Sequence, residues 1–127
     1  MNPIIITIGD VTLEAELNDS PTAQKVWEAL PIEARANVWG DEVYFGIPVR
    51  AEEEADAREI VEVGTLGYWP PGHAFCIFFG RTPASTDERP RAASAVNILG
   101  RVTGDATRLR GVRSGAPVRI IRAVVAD

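Results

Sequence analysis

The sequence has only one cysteine, Cys76, and only one histidine, His73. A single cysteine excludes an internal disulfide and an all-cysteine zinc site, and a single histidine excludes the common histidine-rich metal sites. The two residues are three positions apart, in a turn and in the strand after it, so they are expected to face opposite sides and not to form a catalytic pair. The sequence also lacks a Walker-type phosphate loop. We therefore expect no metal and no cofactor.

No apolar run approaches the ~20 residues that span a membrane, and the start of the chain lacks the basic and apolar segments of a secretory signal. The 13 Lys and Arg residues against 18 Asp and Glu residues give a net charge of −5. Nucleic-acid binders usually carry a basic surface instead. We expect a cytoplasmic protein that binds neither nucleic acid nor membrane, folded as one domain over residues 1–127.

Most of the local patterns are those of β-strands. Residues 4–8 are rich in isoleucine, and residues 11–17 alternate apolar and polar side chains around the Gly9-Asp10 turn, which predicts a hairpin. Residues 38–39 and 43–45 predict a second hairpin, and further strands are predicted at 60–63, 74–79, 95–102 and 117–125. Residues 51–59 are interpreted as a solvated loop. The pattern indicates a mainly antiparallel β protein and, with the one helix described next, suggests a closed barrel of about eight strands.

One clear helix interrupts the strands. Ser20 is a favourable N-cap, Pro21 suits the first helical position, and Pro31 stops the helix. Trp27 is predicted to anchor this helix in the core. Asp105 is predicted to cap a second, short helix that runs to about residue 110.

Aromatic side chains are concentrated between residues 39 and 79. Along the strand 74–79, alternation places Ala74, Cys76 and Phe78 on one face and Phe75, Ile77 and Phe79 on the other. A barrel has one inside face, so the other set must lie under a helix or loop, line a groove or meet a partner. Tyr68 and Trp69 precede two prolines that stiffen the turn, which favours them as surface-presented rings.

Four separated motifs carry a family resemblance: VWGDEVYF at 38–45, GYWPPG at 67–72, CIFFGRTP at 76–83 and SAVNILGRV at 94–102. Together they resemble a small prokaryotic family of atypical single-domain cyclophilin-like proteins, and the likeness covers nearly the whole chain. It implies a closed cyclophilin-like β-barrel of about eight antiparallel strands, with one main helix on the N-terminal side and one short helix on the C-terminal side.

The resemblance raises the question of prolyl isomerase activity, which must lower a barrier of ~18–20 kcal/mol. It implies an arginine after a Phe-His pair, followed by a Gln-Gly-Gly-Asp stretch, and the chain has neither. Its only glutamine is Gln24, and Arg50 and Arg58, the arginines between positions 39 and 63, do not follow a histidine. The resemblance thus implies the scaffold without its catalytic arginine, and no catalytic residue can be assigned.

Three hypotheses remain open. The first is a non-catalytic module that binds a peptide or a small apolar ligand in an aromatic groove. The second is a weak or substrate-specific prolyl isomerase that uses Arg101 or Arg50. The third is a homo-oligomer joined through the apolar strand face. Asn97 could equally hold a loop carbonyl, and Arg101 could equally be solvated. The candidate groove residues are Trp39, Tyr44, Tyr68, Trp69, Phe78, Phe79, Asn97 and Arg101.

Overall fold

The computed structural model describes residues 2–123. These residues form ten strands, one α-helix and two 3-10 turns. The strands are β1 (Asn2–Ile8), β2 (Val11–Leu17), β3 (Ile32–Arg35), β4 (Asn37–Val38), β5 (Glu42–Gly46), β6 (Arg58–Ile60), β7 (Thr65–Trp69), β8 (Ala74–Phe78), β9 (Arg91–Val102) and β10 (Pro117–Arg122). The helix α1 is Pro21–Ala29, and the 3-10 turns are Pro70–Gly72 and Ala106–Leu109. Within this part of the chain, no helix is long and apolar enough to cross a membrane.

The strands pair antiparallel in the order β3-β10-β1-β2-β9-β7-β8-β5-β4, and β6 pairs separately with β9. Both predicted hairpins are confirmed: β1 pairs with β2 across the turn 9–10, and β4 pairs with β5. The predicted antiparallel, mainly β architecture is therefore confirmed.

The predicted closed barrel is not confirmed. The two end strands, β3 and β4, are separated only by Ala36, whose N–H donates to Ala116 O at 2.9 Å and whose carbonyl accepts from Gly115 N–H at 2.7 Å. The Val38 N–H is bonded to Ser114 Oγ at 3.1 Å. Because β3 and β4 follow each other along the chain with one residue between them, they cannot pair with each other, and no β3–β4 ladder closes the sheet in the described part of the chain. The structure has ten strands instead of about eight, and two of the ten are very short: β4 has two residues and β6 has three.

The helix forms where the sequence predicts it. Ser20 Oγ accepts a hydrogen bond from Ala23 N–H at 3.3 Å, Pro21 is the first helical residue, and α1 ends at Ala29. Trp27 is half-buried against the core, with the guanidinium of Arg122 4.5 Å from its ring.

The second predicted helix is a single 3-10 turn, Ala106–Leu109, and the carboxylate of Asp105 accepts from Thr107 N–H at 3.0 Å. The last predicted strand is β10, which ends at Arg122; positions 124 and 125 of that prediction lie outside the described residues.

The two faces of β8 belong to different apolar clusters. Phe75 and Ile77 lie in the main core, together with the inward residues of β1, β2 and β10. Ala74, Cys76 and Phe78 face the other way and form a second cluster with Val61, Ala92 and Val96. The predicted alternation is thus confirmed. The cover over the second face is a two-stranded ribbon, made by β6 and the first half of β9, instead of a helix.

Candidate functional site

A cavity of about 250 Å³ lies between this outer face of the sheet and the ribbon. Its walls come from the turn before β5, from β5 and β8, from the end of β7 and from the first half of β9. The lining residues are Trp39, Glu42, Tyr44, Trp69, Cys76, Ala92, Ala93 and Val96. The three aromatic side chains are only half-buried, so a ligand can reach their rings.

Strand pairing explains why one wall of the cavity carries these residues. Trp39 and Glu42 flank the turn 40–41, and each accepts the other's backbone N–H, at 2.9 and 3.2 Å. Directly opposed residues of a hairpin project on the same side, and so do residues two apart on a strand. Tyr44 therefore projects on the same side as Glu42, and Cys76 of β8 lies directly opposite Tyr44 in the ladder.

The turn 40–41 is held by the segment after β8. Gly40 has a φ of 60°, and a Cβ placed on it would lie 2.8 Å from Cδ of Pro83. Asp41 N–H donates to Arg81 O, and Phe79 N–H donates to Asp41 O, both at 2.8 Å. The two sequence motifs at 38–45 and 76–83 thus form one connected wall, which fixes the positions of the residues flanking the turn.

Trp69 is fixed by the turn that follows it. Its Nε1–H donates to Ser94 Oγ at 2.6 Å, which ties the indole to the ribbon. The ring lies on Gly72, where an added Cβ would be 2.8 Å from two ring carbons. The absence of a side chain at Gly72 therefore leaves room for the Trp69 indole, and the hydrogen bond to Ser94 fixes the orientation in which it lines the cavity.

Glu42 is the charged residue of the lining, and only 5% of its surface is exposed. Burial raises the pKa of its carboxyl to about 7, and a hydrogen bond with the Cys76 thiol lowers the pKa by a smaller amount. Burial, followed by the Glu42 charge, raises the pKa of Cys76 well above its usual value, so Cys76 stays a neutral thiol. Glu42 therefore exchanges its proton near neutral pH.

No cationic side chain forms an ion pair with Glu42 in residues 2–123. The same residues contain no cluster of three or more metal-ligating side chains. Sequence reasoning missed Glu42, although a signal was present. Val43 and Phe45 face the core, so Glu42 and Tyr44 must share the other face with Cys76.

The structure brings together three of the eight predicted groove residues: Trp39, Tyr44 and Trp69. Phe78 belongs to the second cluster and is fully buried, so it supports the cavity without lining it. Phe79 lies in the main core. Arg101 is exposed on β9 opposite Glu16, and it does not line the cavity.

Tyr68 is buried in the main core on the other side of the sheet from the cavity. Its hydroxyl donates to Val49 O at 2.7 Å and accepts from Ala51 N–H at 3.3 Å. His73 Nδ1 lies 3.2 Å from the same oxygen. Tyr68 therefore fastens the start of the segment after β5 and does not present its ring at the surface.

Asn97 fastens the next part of that segment. Its Oδ1 accepts from Glu54 N–H at 2.8 Å, and its Nδ2 donates to Glu52 O at 2.9 Å and to Thr22 Oγ1 at 3.1 Å. The Glu54 carboxylate in turn accepts from Thr22 N–H at 3.1 Å, at the first turn of α1. Of the two roles open for Asn97, the structure supports the one that holds a loop carbonyl.

Replacing Asn97 by alanine should lower the free energy of unfolding by about 2 kcal/mol, because buried loop groups then lose their partners. Urea denaturation followed by circular dichroism measures this change. Asn37→Ala is the matched control, since the exposed Asn37 amide makes one hydrogen bond of 3.3 Å, to Tyr44 O. Equal stability of the two variants would contradict the loop-holding role of Asn97.

The sequence matches the protein-family model described as cyclophilin-like over residues 2–121. The chain belongs to the cyclophilin-like family. A solution structure of a hypothetical protein from Archaeoglobus fulgidus is similar to this cyclophilin-like chain, with 41% identity and a TM-score of 0.81. The match covers 96% of this chain and 95% of the archaeal one. No curated protein matches the sequence at a significant level. The predicted family resemblance is therefore confirmed.

Proposed function

We propose that this cyclophilin-like protein is a non-catalytic binding module whose ligand occupies the cavity between the outer sheet face and the ribbon. The observation that carries the proposal is three half-buried aromatic rings around a space of about 250 Å³. Ligand sites are typically concave and mostly apolar, with a few polar groups that orient the ligand. The small volume favours a small molecule with an apolar body over an extended peptide.

The geometry gives less support to the isomerase hypothesis. The family resemblance implies an arginine that hydrogen-bonds the prolyl nitrogen, and the eight lining residues include no arginine. Arg50 and Arg101, the two candidates from the sequence, are exposed and lie outside the cavity. Fold similarity alone does not carry the activity without its site.

The oligomer hypothesis also has little support. It needs an apolar surface that a second copy can cover. The second apolar face of β8 is already covered by Val61, Ala92 and Val96. Among residues 2–123, Val63 is the one large hydrophobic residue that is exposed, at 53%, so these residues form no exposed apolar patch of large side chains.

The proposal can be tested with two small probes of similar shape, choline and 3,3-dimethylbutan-1-ol. Titration followed by amide chemical shifts should move the signals of residues around Trp69 and Tyr44. Trp69→Leu should weaken binding of the tighter probe by about tenfold or more, because one of the two indole rings of the lining is lost.

Trp27→Leu is the matched control for this test, because Trp27 lies on α1 and outside the cavity. It should leave the binding of both probes unchanged. Circular dichroism checks that each variant is folded. The proposal fails if neither probe moves the signals of the cavity, or if folded Trp69→Leu binds as tightly as the parent protein.

A further inference from the structure

The cavity combines aromatic rings with a carboxylate. Trp39, Tyr44 and Trp69 supply the rings, and Glu42 lines the same cavity with its side chain almost wholly buried. The face of an aromatic ring attracts cations, and the attraction grows when the cation leaves water. A buried carboxylate is costly unless it has a partner, and the described residues offer Glu42 no cationic one. A positively charged ligand would meet both requirements.

The remaining lining favours one kind of cation. A primary ammonium carries three N–H donors that all need acceptors once they leave water. The wall formed by β9 contributes Ala92, Ala93 and Val96, whose side chains accept no hydrogen bond. The oxygen acceptors among the lining side chains are the Glu42 carboxylate and the Tyr44 hydroxyl, which both come from β5. An ammonium whose hydrogens are replaced by alkyl groups needs no such acceptors and packs directly against rings and methyl groups.

We propose that the cavity binds a small organic cation bearing an alkylated ammonium group, held by the three aromatic faces and paired with the carboxylate of Glu42. This inference rests on the proposed binding function and names the class of its ligand. Glu42 supplies the charge that distinguishes the cation from a neutral molecule of the same shape.

Binding should depend on pH. With a pKa of about 7, the Glu42 carboxyl is largely protonated in the empty cavity at pH 5 and largely ionised at pH 8. A cationic ligand favours the ionised form, so its affinity should rise with pH over this range. The titratable side chains that line the cavity with Glu42 are Tyr44 on its own strand and the neutral thiol of Cys76 on β8. The other lining side chains, from Trp39, Trp69 and β9, carry no charge, and neither does Phe78, which is opposite Glu42 in the ladder.

The test compares choline with 3,3-dimethylbutan-1-ol, in which a carbon replaces the charged nitrogen. Isothermal titration calorimetry at pH 8 should give choline an affinity at least about tenfold higher than the neutral alcohol. Glu42→Gln should remove most of this preference while binding of the alcohol stays within about twofold. Glu28→Gln, an exposed change on α1, is the matched control and should keep the preference.

The possible outcomes separate the two proposals. A choline preference that is lost in Glu42→Gln and that shrinks toward pH 5 in the parent protein supports a cation site. Equal binding of choline and the alcohol overturns the cation site but keeps the proposed binding function. A choline preference that survives in Glu42→Gln also overturns the role of Glu42. Binding of neither probe overturns both. If Glu42→Gln does not fold, the pH dependence of the parent protein alone decides.

Discussion

Replacing Gly100 by alanine should lower the free energy of unfolding by about 4 kcal/mol. Gly100 lies in β9, opposite Leu17 of β2, with a φ of 151°. A Cβ there would overlap the Glu16 carbonyl oxygen and lie 3.0 Å from Leu17 Cα. The neighbouring strand cannot move away easily, because Asn18 N–H donates to Leu99 O at 2.7 Å. Backbone strain and the steric overlap therefore add together.

Gly46→Ala is the matched control for this change, because no atom lies within 4 Å of a Cβ placed at the end of β5. It should change stability by less than about 0.5 kcal/mol. Urea denaturation at constant pH, with the slope of the transition compared among the three proteins, measures both variants. A loss below about 1 kcal/mol for Gly100→Ala would mean that β2 and β9 are less tightly joined than described.

Local features of the fold could be predicted from the sequence because each depends on neighbouring residues. The N-cap Ser20 and the following Pro21 mark the start of α1, and both act within one helical turn. The alternation at 11–17 fixes which residues of β2 face the core.

The arrangement of the end strands β3 and β4 depends on contacts that are distant in sequence. The backbone groups of Ala36 are bonded to residues 115 and 116, about 80 positions further along the chain. Nothing near Ala36 in the sequence indicates that another segment takes these groups. The ribbon over the second sheet face is a similar case, since Val96 pairs with Arg58.

The candidate site was predictable only in part, because the sequence shows which residues are aromatic but not which of them share one cavity. Aromatic density identified Trp39, Tyr44 and Trp69, which line the cavity. It could not separate Trp69 from Tyr68, although neighbouring strand residues project to opposite faces. The structure resolves them: Trp69 lines the cavity, and the Tyr68 hydroxyl is bonded in the interior.

Glu42→Gln should gain stability over the parent protein by about 3 kcal/mol as the pH rises from about 4 to about 8. The carboxyl has a pKa of about 7 in the folded chain against a model value of 4.5. Between these values the folded chain binds more protons than the unfolded chain, so the parent protein loses stability as pH rises. Glutamine is neutral throughout and lacks this loss. The cost of ionising Glu42 in an empty cavity is what a cationic ligand would offset.

Urea denaturation of both proteins at several pH values measures this difference, in which contributions from other titrating groups cancel. Glu28→Gln serves as the control, because an exposed carboxylate is hydrated in both the folded and the unfolded chain. The change with pH should be larger for Glu42→Gln than for this control. A Glu42→Gln difference that is constant with pH would show that the Glu42 carboxylate is already stabilised within the folded chain. That result would remove the electrostatic reason for a cationic ligand. The expected rise would mean that the ionised Glu42 carboxylate has no cationic partner within the folded chain.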